Sequence, residues 1–232
     1  MTPTLRPLEV PRPGRAPLAA ATLALDPPGS TALLVLAHGA GAGPTHPFLE
    51  DLCRRLADLQ IATLRVEFPY MHAGRKMPDR RPVLLATLRA ALARGRKLAG
   101  ARPLVAGGKS MGGRMFSLLL ADPEPPDPPP LGLLFLGFPL HPAGKPGTDR
   151  AAHLPVLNLP TLFVQGTRDR LAELDLLRPI VAGLGPRATL HVVEGADHGF
   201  TARKRDQRSR EELLDEIAET CAAWIRSAPW SD

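Results

Sequence analysis

This chain of 232 residues is poor in cysteine, with two, and in aromatics, at 4%. Cys53 and Cys221 stand far apart on expected helices, so they build neither a disulfide framework nor a metal-ligand spacing. Such usage suits a reducing, cytoplasmic setting. Few aromatics leave no base-stacking module. The formal net charge is +6, but arginine is scattered rather than gathered into one patch, which argues against a nucleic-acid partner. No apolar run is long enough to span a membrane, so no membrane association is expected. Ala16 to Leu25, preceded by Arg12 and Arg15, has the charge order of a secretion signal. Its short alanine-rich stretch and proline-crowded start do not fit one.

Proline is abundant instead, with 27 residues, and much of the excess sits in segment 1–15 and between Pro123 and Pro130. The first is read as a proline-rich, extended N-terminal segment. The second is read as a stiff connector within one domain spanning 1–232. From Ala16 onward, apolar runs of strand length alternate with helical periodicity. Strands are expected at Leu18–Leu25, Thr31–Ala37, Ile61–Phe68, Pro103–Gly107, Leu131–Leu136, Thr161–Gln165 and Ala188–Val193. Helices are expected around Phe48–Leu59, at Pro82–Ala99, Gly112–Leu120 and Leu171–Ala182, and at Glu211–Ile225. This alternation predicts an α/β fold with a mostly parallel sheet and helices on both faces. No late insertion is long enough for a lid domain.

Gly108-Lys109-Ser110-Met111-Gly112 lies between a strand and a helix. It has the G-x-S-x-G form of a nucleophile elbow, a sharp turn that exposes the serine hydroxyl. Gly-Lys-Ser also suits a phosphate-binding loop, but Pro103 stands where that motif needs its first glycine. A serine nucleophile needs a base and an oriented acid, in this fold downstream and in the order acid then histidine. Asp169, in the turn after the Thr161 strand, is the expected acid. His198, in a glycine-flanked loop after the Ala188 strand, is the expected base. Asp197 adjoins His198 and is read as a loop-bonding residue. His191, inside a strand, is read as a packed or surface histidine. The oxyanion formed in acyl transfer needs N–H donors. Met111 follows the nucleophile, and Ala40, with Gly41 second, lies in the glycine-rich loop after the early apolar strand.

His38-Gly39-Ala40-Gly41, the Ser110 elbow, Gly166-Thr167-Arg168-Asp169 and Gly195-Ala196-Asp197-His198 together resemble an α/β-hydrolase. Arg65 to Met71 and Leu136 to Pro142 are similar to its dienelactone-hydrolase-like branch. The resemblance runs from about Thr31 onward. It implies an α/β-hydrolase fold and a hydrolase mechanism but no substrate. The residues themselves are read as a serine hydrolase acting on a carboxylic ester or thioester, with no metal or cofactor. Dienelactone hydrolases proper use a cysteine where this chain has Ser110, so lactone chemistry is not implied. A non-catalytic interaction module on the same fold is the alternative. His38, Gly39, Gly41, Tyr70, Arg75, Lys76 and His141 are the candidate substrate contacts. The basic residues after Phe68 and Phe138 point to an anionic small molecule as the partner.

Overall fold

The computed structural model describes residues 5–227. Eight strands form one sheet in the order β1-β2-β4-β3-β5-β6-β7-β8. β3 (Ala32–Ala37), β4 (Ile61–Glu67), β5 (Leu104–Lys109), β6 (Gly132–Leu136), β7 (Thr161–Gly166) and β8 (Ala188–Val193) are parallel neighbours. β1 (Leu5–Arg12) and β2 (Arg15–Leu25) form an antiparallel hairpin, and β2 pairs antiparallel with β4.

The core follows from the strand period of two. Leu33, Val35 and Ala37 of β3 face α3 (Arg81–Ala99), α4 (Met111–Leu120) and α5 (Leu174–Gly183). Leu34 and Leu36 face α1 (Pro47–Asp58) and α6 (Arg210–Ser227), and the short α2 (Pro69–His72) follows β4. Helices on both faces explain why β3 is buried along its whole length. In α1, Leu49, Leu52, Cys53 and Leu56 form one buried stripe at helical spacing. Pro47 opens the helix at a position where its missing N–H costs nothing. Strand order reverses at β3, between β4 and β5. Ligands bind at the carboxyl edge of such a switch point, and the turns after β3, β5, β7 and β8 meet there. Among the described residues no helix is long and apolar enough to cross a membrane.

Two element boundaries are corrected, and the extended start is found paired into the sheet. The proline-rich start is a strand from Leu5, with Leu8 and Val10 buried, and its first four residues lie outside the described ones. Prolines at 7 and 11 argue against a central strand, but β1 is the edge of the sheet, where a missing donor is tolerated. β5 runs two residues further than expected, to Lys109, so the strand leads directly into the Ser110 turn. Helix α5 begins at Leu174 rather than Leu171. The backbone of Leu171 is engaged elsewhere: its N–H donates to Asp169 Oδ1 at 2.8 Å, and its carbonyl accepts from His141 N at 3.0 Å.

Candidate active site

Ser110 sits between β5 and α4 at φ 51° and ψ −115°. A non-glycine residue there carries strain of about 1–3 kcal/mol, held by the packing around it. That packing requires bare backbone on both sides of the turn. An ideal Cβ on Gly108 would lie 2.3 Å from Gly113 N, and one on Gly112 would lie 2.4 Å from the Ala37 carbonyl oxygen. Ser110 N–H donates to the Leu136 carbonyl at 3.0 Å, tying the turn to β6.

The structure brings Ser110, His198 and Asp169 together. His198 Nε2 is 2.9 Å from Ser110 Oγ, and His198 Nδ1 is 2.7 Å from Asp169 Oδ2. A carboxylate only accepts, so Nδ1 carries the proton and Nε2 is free to take one from the serine. The Asp169 side chain is fully buried. Its Oδ2 also accepts from Gln165 Nε2 at 2.6 Å, while its Oδ1 accepts from Leu171 N. Gln165 Oε1 in turn accepts from Phe138 N at 3.0 Å. Sequence reasoning missed Gln165; an amide in a buried parallel strand, four residues before the acid, was the available signal.

The acid turn and the histidine loop are stitched to each other. Thr167 N–H donates to Val193 O, Arg168 N–H donates to Ala196 O, and Gly195 N–H donates to Thr167 Oγ1. Asp197 Oδ1 accepts from Gly199 N and Thr201 N, both at 2.9 Å, within its own loop. His191 Nε2 is 2.7 Å from Glu216 of α6, away from this site.

The loop after β3 lies beside Ser110: an ideal Cβ on Gly39 would be 3.6 Å from Ser110 Cβ. Gly41 adopts φ +70°. Among the described residues, no backbone oxygen accepts from the N–H of Met111 or Ala40. Met111 opens α4, where the helix dipole favours negative charge.

The expected substrate contacts divide. His38 and Tyr70 are fully buried. His38 Nδ1–H donates to Gly39 O at 2.8 Å, and Nε2 accepts from Phe68 N at 3.4 Å. Desolvation pushes its pKa down to about 4, and the neutral ring braces the glycine loop from below. The Tyr70 ring stacks on Phe68. His141 is also buried, with Nδ1 2.9 Å from Pro142 O and Nε2 2.8 Å from Glu173. Arg75 pairs with Asp79 at 2.7 Å, and Lys76 is exposed. A cleft of about 320 Å³ opens instead beside His198, lined by Arg168, Arg170, Asp197, Gly199 and Arg203. Arg168 Nη1 donates to Gly195 O at 2.8 Å, whereas Arg170 and Arg203 are exposed.

A family model described as an alpha/beta hydrolase domain matches residues 30–226. Among solved structures, the fold is similar to a dienelactone hydrolase from Anabaena variabilis, with a TM-score of 0.71 and 18% identity over 98% of this chain and 99% of that one. A lid-less α/β serine hydrolase from Xanthomonas campestris gives 0.70 and 18% over 100% and 98%. A serine hydrolase homologue from Coxiella burnetii gives 0.70 and 17% over 94% and 96%.

Proposed function

Because this chain belongs to the alpha/beta hydrolase family, we propose that it is a serine hydrolase that cleaves a carboxylic ester or thioester through an acyl-enzyme on Ser110. The observation that carries this reading is the unbroken hydrogen-bonded series Ser110 Oγ, His198, Asp169, at 2.9 and 2.7 Å. His198 Nε2 takes the hydroxyl proton as Oγ attacks the carbonyl carbon. Asp169 supports the imidazolium that forms. The N–H groups of Met111 and Ala40 stabilise the oxyanion, with Gly41 able to stand in for Ala40. His198 then passes its proton to the leaving alcohol or thiol. Water, activated by the same imidazole, frees the acid and restores Ser110.

The substrate is a small molecule carrying negative charge. The exposed arginines at 170 and 203, on the wall of the His198 cleft, support this. Buried, unlinked Cys53 and Cys221 support a cytoplasmic setting.

A fluorophosphonate probe should label the wild type and spare Ser110→Ala, and hydrolysis of p-nitrophenyl acetate should vanish with the label. A wild type that neither labels nor turns over ester would instead be a non-catalytic module. For charge preference, kcat/KM should favour a carboxylate-bearing ester over its neutral counterpart, and the ratio should collapse in an Arg170→Ala, Arg203→Ala double variant. An equal ratio in the two proteins would remove the anionic-substrate reading alone.

A further inference from the structure

Lys109 is the residue before the nucleophile and plays no part in the acyl-transfer steps. It ends β5 with its side chain on the α1 and α6 side, where the His198 loop lies. Its Nζ donates to the main-chain carbonyl of His198 at 2.5 Å and sits 5.2 Å from the centre of the Phe200 ring. Gly137, at φ +70°, marks the crowding at this point. An ideal Cβ there would be 3.2 Å from Lys109 Nζ, 3.4 Å from Asp169 Oδ2 and 3.4 Å from His198 Nδ1. Ammonium, carboxylate and imidazole therefore converge on one patch of bare backbone.

We propose that Lys109 is a positioning residue for this site: its ammonium pins the His198 main chain and sets a positive charge against the carboxylates of Asp169 and Asp197. The inference rests on the reading of Ser110 as nucleophile. An ammonium donating to the carbonyl of the base itself fixes where the imidazole begins, and a charge-assisted bond is about twice as strong as a neutral one. Among the described residues no carboxylate lies within 4 Å of Nζ, so the contact differs from an ordinary surface ion pair. Asp169 from the turn after β7, and Asp197 and His198 from the loop after β8, are the titratable groups facing it. The glycine loop after β3 runs alongside, where an ideal Cβ on Gly39 would be 3.9 Å from Lys109 Cγ, and brings no charge, since His38 is neutral there.

Burial, only partly offset by Asp169 and Asp197, pushes the Lys109 pKa down to about 8. Raising pH through 8 therefore removes the charge and weakens the clamp. The same titration acts on stability with the opposite sign. The folded pKa lies below the ordinary 10.5, so the cost of keeping the ammonium buried is present below pH 8 and fades as pH rises. Declining activity above pH 8 with no loss of stability from this group separates positioning from unfolding.

The test is the rate at which a fluorophosphonate probe labels Ser110 in the full chain between pH 6 and 9, with the thermal midpoint followed in parallel. The wild-type rate should fall with an apparent pKa near 8. Lys109→Met should lose that limb and label about tenfold to a hundredfold more slowly at pH 7, the scale of a 1 Å misplacement. Lys109→Arg, whose charge persists, should recover much of the rate and carry no limb in this range. An alkaline limb shared by wild type and Lys109→Met, or equal rates at pH 7, overturns the proposal. If Lys109→Met lacks a cooperative melt, the Arg profile decides, and a limb still at pH 8 overturns it. A wild type without labelling, or Ser110→Ala labelled equally, removes the serine reading and this inference together.

Discussion

Asp169 and Asp197 lie on loops that touch, yet only Asp169 turns its carboxylate to the imidazole. Asp197 spends an oxygen on two N–H groups of its own loop. Asp169→Asn should therefore lower esterase kcat by a factor on the order of thousands, because an amide favours the wrong histidine tautomer. Asp197→Asn should stay within about tenfold and show its effect mainly in the thermal midpoint, since an amide oxygen can still accept those bonds. A dead Asp197→Asn of normal stability would reverse the assignment. Gln165→Leu should leave Asp169 short of one donor and Phe138 N–H without its acceptor. An unmet buried group costs about 1–3 kcal/mol, so kcat/KM should fall about tenfold and the melting point should drop with it. Nothing local in the sequence distinguishes Gln165 from a core amide, and its role exists only because β7 delivers it beneath Asp169.

At the scale of elements, the elbow was legible because its requirements are local. A strand, a serine at positive φ and glycines on both sides are all written within ten residues. Gly108→Ala should cost about 3 kcal/mol or more, since the added Cβ meets backbone rather than a movable side chain. Soluble protein with a wild-type melting point would contradict the close approach. The start of α6 is as local. Ser209 Oγ accepts from Glu212 N at 3.1 Å, and Glu212 Oε2 accepts from Ser209 N at 2.7 Å. Ser209→Ala should cost about 1 kcal/mol of stability with no change in ester hydrolysis. The late start of α5 was not legible, because Leu171 is recruited by Asp169 and by His141 from another loop. Strand β1 was hidden by its prolines, whose acceptability depends on edge position and not on the strand itself.

For the whole molecule, burial of neutral titratable groups sets a window of pH stability. Desolvation pushes His38 and His153 down to about 4 from the usual 6.5. Their folded pKa values are depressed, so the stability they contribute is present above about 6.5 and is lost as pH falls toward 4. For His38 alone the loss is on the order of 3 kcal/mol. Burial raises the thiols of Cys53 and Cys221 above their ordinary value of 9.0. Their contribution is complete below pH 9 and declines as pH rises beyond it. With the burial cost of the Lys109 ammonium also fading above about pH 8, the melting midpoint should be high from about pH 6.5 and highest near pH 8 to 9. A midpoint insensitive to acid between pH 6.5 and 4 would mean that His38 is protonated without cost.

The sequence by itself determined the sheet order of events: alternating strands and helices, the serine turn, and an acid and a histidine at later strand ends. Each of these rests on local periodicity or on a turn that only certain residues can make. The tertiary structure alone decided which groups meet. It joined Ser110, His198 and Asp169 across three loops and withdrew His38, Tyr70 and His141 into the interior. It also drew Gln165 and Lys109 in behind Ser110, His198 and Asp169, and set Arg168, Arg170 and Arg203 around the cleft beside His198. The physical reason is reach. Backbone preference extends over a few residues, whereas burial and hydrogen bonding are settled between distant chain segments: Lys109 and His198 are 89 residues apart, and Arg55 and Asp215 are 160.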